Sequence, residues 1–498
     1  MPNTPVRNRP PDVPGLRLHR SLSSVEYFTF GFGTMVGVAW LILIDDWLAR
    51  GGPLGAMIAF LAGGLLLLPV AHTYGRLVRA IQDAGAEIAY TERVFPPSVS
   101  FAAGWTMVLA YAIVCPWEAV AIGNLLARVF PALNTHALYT VAGKTIFAPR
   151  VALGVLLTAF ITGINLRGIR PSGVFQDVTT FGLLVVFAVF AVLGVTRGDA
   201  ANLEPLFARP GTSGAWLSVV LALQIVPYFM TGFESVAKGS EEARPGFDTR
   251  GFSRAMYSAV IAGALFYVVV VGVVAFVFPW RELVANHLGT EVAFERAFAS
   301  RTIARIIVFA AFLSLLKVFN GNFVASTRLL FGIGKRGLVH PSLARLHPVH
   351  GTPVNAILLV SAVTVVASFL GDAVLIPITE VGSLAAGVGW LSAALAYLSL
   401  RRPTVRASER PGSGSDKPNA GPVSASRGSL VTAVIAAAVS LAIILMKVLP
   451  PVPGSFTADE WAALALWLAL GLGFWLARRP AEPGTRSQEL APFDSPRR

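Results

Sequence analysis

Phe30-Gly31-Phe32-Gly33-Thr34-Met35-Val36-Gly37-Val38-Ala39-Trp40 sets three glycines into an apolar stretch that begins near Val25. A second stretch, Val226-Pro227-Tyr228-Phe229-Met230-Thr231-Gly232-Phe233-Glu234, is interrupted by a proline and a glycine. Each lies in a segment long and apolar enough to cross a bilayer. Glycine and proline are the residues a helix interior tolerates least. Unwound backbone at membrane depth survives only where protein buries it or where it lines a cavity. Two such interruptions at matching places in two halves of a chain point to a solute-binding site of the kind transporters build.

The rest of the composition agrees with a membrane setting. Of 498 residues, 54% are hydrophobic and 13% are charged, with a mean hydropathy of +0.65. Soluble domains carry about a quarter charged residues. The single cysteine, Cys115, excludes an internal disulfide and reads as a small buried hydrophobe. Residues 1–23, rich in proline and arginine, form a disordered tail. The first apolar run is too long for a cleaved signal sequence and is expected to stay as a helix.

Apolar runs fall at about 25–48, 54–78, 99–127, 150–166, 172–196, 215–238, 253–279, 302–333, 353–371, 374–400, 429–449 and 460–477. Twelve spans place both termini on one side. Of the 40 Lys and Arg residues, 28 sit in or beside the two tails and the loops after even-numbered spans. Ten sit in or beside the loops after odd-numbered spans, and Arg305 and Lys317 fall inside the eighth span. The positive-inside rule then predicts a cytoplasmic-membrane protein with both termini in the cytosol. The net charge of +13 is therefore a topology signal with some attraction to anionic lipid heads, and no nucleic-acid partner is expected. The eighth run exceeds what a bilayer needs, so its end is expected to leave the helix for a loop. Residues 401–428 form a polar Pro/Gly/Ser-rich cytoplasmic linker that separates ten spans from a final pair, with a C-terminal tail over 479–498.

Several strings follow in order along these spans. They are Gly33-x-x-x-Gly37-x-Ala39, Gly51-Gly52-Pro53, Asn165-Leu166-Arg167-Gly168 and Asn202-Leu203-Glu204-Pro205-Leu206-Phe207. Gly232-Phe233-Glu234, Glu241-Glu242, Ser326-Thr327-Arg328-Leu329-Leu330-Phe331, Gly337-Leu338-Val339-His340-Pro341 and Gly351-Thr352-Pro353 complete the set. Over roughly residues 20–400 the chain resembles permeases of the amino acid–polyamine–organocation (APC) superfamily. The resemblance implies an all-α integral membrane protein of 12 transmembrane helices with a leucine-transporter-like fold. Inverted repeats over about 24–196 and 215–400 make a transport core at 24–400, and residues 429–478 give two peripheral helices. Two departures stand out. The third glycine of the family's first motif is Ala39, and Leu183 or its neighbours stand where some proton-coupled members carry a lysine.

The first break frees backbone N–H groups at the positive end of a half-helix dipole, which suits a carboxylate. The resemblance places a substrate carboxylate against Gly37, Val38 and Ala39, with Met35 offering a carbonyl. The alternative is that the glycines serve close helix packing. In the second break, carbonyls near Tyr228 and Thr231 can accept a substrate ammonium, and the Tyr228 ring can cover it; the alternative is a packing aromatic. Tyr111 and Glu118, seven residues apart, share a helix face, which the resemblance turns toward the central cavity. Glu118 can hold a cationic group or a proton, or simply tie helices. Carboxylates at membrane depth are functional by default, which marks Glu234 and Glu380 as candidates for coupling or gating. Lys317 needs an anion or must lose its proton. Glu118, Glu234 and Glu380 are its candidate partners, and snorkelling to the surface is the alternative. Asn320, Asn322, Ser326 and Thr327 offer further oxygens. His340, His347 and His350 share one loop and read as solvated residues.

The expected function is secondary active transport of an amino acid or related amine, by proton symport or by exchange, with sodium less favoured. A non-transporting sensor with the same fold is the alternative. No metal-ligand cluster, nucleophile elbow or phosphate loop appears in the sequence, so neither a cofactor nor an enzyme is expected.

Overall fold

The structure is a computed structural model that describes residues 18–141, 143–400, 427–452 and 455–478, without side-chain surroundings for 372–380. The linker and the C-terminal tail inferred from sequence therefore lie almost wholly outside the described residues.

The chain opens with α1 (Ser24–Met35), started by a capping box in which the Ser23 N–H donates to Glu26 Oε2 at 2.9 Å. Val36 then takes an extended conformation and ends the helix, and a single turn, α2 (Ala39–Ile42), resumes it. A long α3 (Ile44–Ala80) follows, interrupted at Gly52, where φ is +66°. A Cβ at Gly52 would lie 2.6 Å from the Ala208 nitrogen, so two backbones touch there. A short α4 (Glu87–Thr91) precedes α5 (Pro97–Ala112) and α6 (Val114–Ala127). These last two are one predicted span parted at Ile113. Pro116 explains the break, because its ring removes an N–H and crowds the carbonyl of Ala112.

An antiparallel hairpin of β1 (Ala137–Val141) and β2 (Lys144–Phe147), absent from the sequence expectation, pairs Val141 with Lys144. Next come α7 (Ala148–Leu166) and α8 (Ile169–Arg197). The second interrupted segment resolves into α9 (Gly211–Leu223), α10 (Val226–Phe229) and α11 (Ser235–Lys238). After α12 (Arg250–Val277) come two unforeseen short helices, α13 (Trp280–Ala285) and α14 (Thr290–Phe298). Helix α15 (Arg301–Lys335) stays helical to Lys335 instead of leaving for a loop as the sequence suggested. Helices α16 (Val354–Ser368), α17 (Asp372–Leu400), α18 (Arg427–Val448) and α19 (Ala458–Leu476) complete the chain.

Among the described residues, 11 helices or broken helix pairs are long and apolar enough to cross a membrane, and α16, at 15 residues, is shorter. Their outward faces carry Leu, Val, Ile and Phe, including Leu65, Val185, Val192 and Leu466. Such faces are at home in lipid, and this is a multi-pass membrane protein. Helix α15 sits at the centre, packed against α1, α5, α6 and α8, while α3 packs against α9 and α12. Helix α19 lies outermost, held to α5 by a reciprocal pair: Trp105 Nε1 donates to the Trp467 carbonyl at 3.1 Å, and Trp467 Nε1 returns the bond at 3.2 Å.

Candidate functional site

The two breaks meet in space. At Gly232 φ is +128°, and a Cβ there would lie 2.9 Å from the Met35 nitrogen. The Tyr267 hydroxyl of α12 spans both breaks, 3.2 Å from the Met35 carbonyl and 3.3 Å from that of Phe229. Buried carbonyls released from a helix need donors, and α15 supplies most of them. Ser314 Oγ lies 2.9 Å from the Val36 carbonyl and 2.8 Å from that of Gly37. Asn322 Nδ2 lies 3.4 Å from the Thr34 carbonyl. Lys317 Nζ donates to the Gly33 carbonyl at 3.3 Å and, more closely, to that of Val36. Lys317 is fully buried, so it does not snorkel to the surface. The N–H groups of Gly37 and Val38 take no part in the backbone ladder on either side of them.

Glu118 faces the same segment from α6. Its Oε1 lies 3.5 Å from the position of a Cβ on Gly37, and its buried Oε2 has no hydrogen-bond partner. Glu118 and Lys317 act on each other electrostatically without a direct ion pair. Between them lies the unwound turn with Gly37, while Ala39 is half-buried just beyond it.

Tyr111 belongs to a second cluster. Its ring lies 5.0 Å from Lys238 Nζ, and Tyr111, Tyr74, Glu87 and Glu234 all interact electrostatically. Lys238 forms a fully buried ion pair with Glu87 at 2.6 Å. The Tyr74 hydroxyl donates to the same Glu87 oxygen at 2.6 Å. Glu234 accepts a bond from the Gly232 N–H at 3.1 Å, and its other oxygen is buried without a partner.

In the second break the Thr231 hydroxyl is committed to the Pro227 carbonyl at 2.8 Å. The Tyr228 carbonyl accepts a long 3.4 Å bond from the Thr231 N–H. The half-buried Tyr228 ring stands near Gly382 of α17, which also abuts Ile113 at the α5–α6 break. Glu380 is on α17, but its side chain lies outside the described residues. Of the other polar groups on α15, Asn320 is spent on Asn165, Ser172 and Gln176. Ser326 and Thr327 bond back to carbonyls of their own helix. Among the described residues, no group of three His, Cys, Asp or Glu side chains gathers as a metal site would require. A cavity of about 450 Å³ opens beside the β-hairpin, with Ile42, Trp117, Asn124, Arg128 and Arg150 among its lining residues.

Sequence reading missed Ser314, Tyr267, Glu87 and Lys238. Ser314 and Lys238 left a signal: Ser314 lies one turn before Lys317, and Lys238 lies four residues after Glu234. Tyr267 and Glu87 sit in unremarkable strings, and only the folded arrangement brings them in.

The family model described as "Amino acid permease" matches residues 22–474. The methylthioribose transporter of Bacillus subtilis is 26% identical over 404 residues, covering 79% of this chain and 84% of that protein. The amino-acid permease RocE of the same organism is 23% identical over 398 residues, with 79% and 83% covered. A probable GABA permease of Pseudomonas aeruginosa is 26% identical over 412 residues, with 78% and 80% covered. With two interrupted helices meeting at a polar, buried centre and a family match along nearly the whole chain, the protein belongs to the amino acid permease family of the APC superfamily and is a transporter, not an enzyme.

Proposed function

We propose that the substrate of this permease is an amino acid or a related amine, bound between the unwound turn at Gly37 and the carboxylate of Glu118. The observation that carries this reading is the unpartnered Oε2 of Glu118, a buried acceptor beside the Gly37 turn. A buried carboxylate oxygen left without a donor costs several kcal/mol. A substrate ammonium supplies that donor. The substrate carboxylate then faces the N–H groups of Gly37, Val38 and Ala39, with the Met35 carbonyl and Thr231 at the margin and Tyr228 as cover. The relatives carry names as different as methylthioribose transporter and GABA permease, so membership of the family does not fix the amine.

Lys317 acts in this reading as a fixed cation. Its ammonium takes the Gly33 and Val36 carbonyls, a position where a hard cation with oxygen ligands would otherwise fit. Proton symport or exchange follows more naturally than sodium coupling, with Glu234 and Glu380 as gating carboxylates. The transport core is residues 24–400, arranged as two inverted repeats that rock around the site, with α18 and α19 peripheral, giving twelve spans. The protein sits in the cytoplasmic membrane with both termini in the cytosol.

The test is thermal stability of the purified protein across a panel of amino acids, polyamines and ethanolamine. A ligand at a hundred times its Kd stabilises the fold by about 2.7 kcal/mol. We expect one class to raise the melting temperature, and Glu118→Gln to abolish the rise. A rise untouched by Glu118→Gln moves the site elsewhere, and a flat panel removes the amino-acid assignment. Lys317→Ala transporting normally with an unchanged pH profile would remove the role given to Lys317.

A further inference from the structure

The second cluster holds two carboxylates and one cation. Glu87 of α4 and Lys238 of α11 form a fully buried pair at 2.6 Å. Glu234 stands four residues before Lys238 on the same turn of chain, and residues at that spacing on a helix are neighbours. Lys238 therefore has two possible partners. One, Glu87, belongs to a different element, and the other, Glu234, is the residue immediately before its own helix. Each carboxylate has an oxygen that makes no hydrogen bond of ordinary length, Oε2 of Glu87 and Oε1 of Glu234, and the Tyr111 hydroxyl approaches Glu234. A buried site with one cation can balance only one of two carboxylates, and a second unpaired charge there is expensive. The remaining carboxylate is satisfied by taking a proton.

We infer that Glu87, Lys238 and Glu234 form a proton-operated latch between α4 and α11. In the structure as it stands, Lys238 pairs with Glu87, and Glu234 holds the proton. In the alternative arrangement the Glu234 carboxylic acid gives its proton to the Glu87 carboxylate, and Lys238 turns to the new Glu234 carboxylate. One O–H bond breaks and one forms, and the net charge of the cluster stays at zero. The first arrangement ties α11 to α4. The second satisfies Lys238 beside its own helix and leaves α4 without an ionic tie to α11. Uptake of one proton from the aqueous side by Glu87, with Glu234 still protonated, also breaks the pair. It leaves Lys238 as the one charge and takes the cluster from zero to +1, so this route depends on pH whereas the internal transfer does not.

Among the described residues, the following groups face the latch. Tyr74 of α3 donates to the Glu87 oxygen that Lys238 holds, and the Tyr74 and Tyr111 rings flank the ammonium at 5.3 and 5.0 Å. The Tyr90 hydroxyl is buried without a partner and interacts electrostatically with Glu87, Asp83 and Arg93. The next buried pair, Arg328 with Glu242 at 2.9 Å, is closed on itself. Glu87, Glu234, Tyr90 and Tyr111 each carry a buried oxygen without a hydrogen-bond partner of ordinary length, where buried polar groups normally find partners or water. The latch rests on the reading of this chain as a proton-coupled permease. It adds two residues, Glu87 and Lys238, that lie apart from the Gly37 turn.

A cysteine reporter tests it without any substrate. Ser235, buried on α11 with an unpartnered hydroxyl, is replaced by cysteine. Cys115, buried in α6, serves as the internal marker of an intact fold. The parent chain is expected to label at Ser235→Cys at least fivefold faster at pH 5.5 than at pH 7.5, with Cys115 protected at both. Adding Glu87→Gln should make labelling fast and independent of pH. Should Glu87→Gln also expose Cys115, the charge-free double variant Glu87→Gln/Lys238→Met replaces it, and a flat profile is again expected. A parent with equal rates at both pH values overturns the latch, as does a variant that keeps the parent's pH profile. Because no substrate is involved, a flat ligand panel and a failed latch remain separate results.

Discussion

At Gly232 the chain needs a residue without a side chain for two independent reasons. Its φ of +128° is a conformation L-residues avoid, and the space its Cβ would enter holds the Thr34–Met35 backbone at 2.9 Å. The strain alone is worth about 1–3 kcal/mol, and the clash pushes the two breaks apart. Gly232→Ala is therefore expected to lower the melting temperature and to reduce transport by at least tenfold, measured on the same purified protein. An unchanged melting temperature would mean that the breaks do not abut. Gly37 differs: a Cβ there meets Glu118 and Val318 at ordinary contact distances of 3.5 and 3.6 Å, so alanine fits and only larger side chains fill the space beside Glu118. Both glycines were legible in the sequence as helix breakers. That Gly232 touches Met35 was not, because nothing in the spacing of residues 35 and 232 says that their backbones meet.

Elements bind one another on the side of the molecule where the α1 N-terminus lies. Arg336, at the end of α15, reaches Asp83 at 2.9 Å and Glu92 at 2.7 Å, and so clasps both ends of the segment that holds α4. Burial by itself would raise the Asp83 carboxyl, but the charge and hydrogen bond of Arg336, helped by Lys335, outweigh it and hold the group down at about 2. The folded state thus gains stability from Asp83 at pH values above the ordinary 3.8. That gain, about 2 kcal/mol, disappears as pH falls from about 4 to about 2. Asp83→Asn should lower the melting temperature at pH 7, and the difference from the parent should shrink towards pH 3. A difference independent of pH would assign the loss to packing instead. The helical segments themselves followed from the runs of apolar residues. The break at Ile113 and the uninterrupted course of α15 did not. The first depends on where the Pro116 ring falls in a packed helix. The second depends on Arg328 finding Glu242 at 2.9 Å, so that a charge otherwise suited to a loop stays buried in the helix.

For the whole molecule, the imbalance of 28 against 10 Lys and Arg residues predicts which side faces the cytosol. Epitope tags at the N-terminus and at the C-terminus should both resist added protease in intact cells and be cleaved once the membrane is opened. Cleavage of either tag in intact cells would reverse the orientation. The sequence by itself determined that this chain lies in a membrane, where its apolar runs fall, that two of those runs break, and which family it belongs to. These properties are carried by composition, by local backbone preference and by ordered motifs, and each is read within a single segment of chain. The tertiary structure alone decided which polar groups share a site. Lys317 came to the Gly33 and Val36 carbonyls, Glu118 to Gly37, and Lys238 to Glu87 across 151 residues of chain. The physical reason is that a buried charge selects its partner by position in space. The hydrophobic pattern that places each helix in the bilayer leaves its rotation and its neighbours to packing.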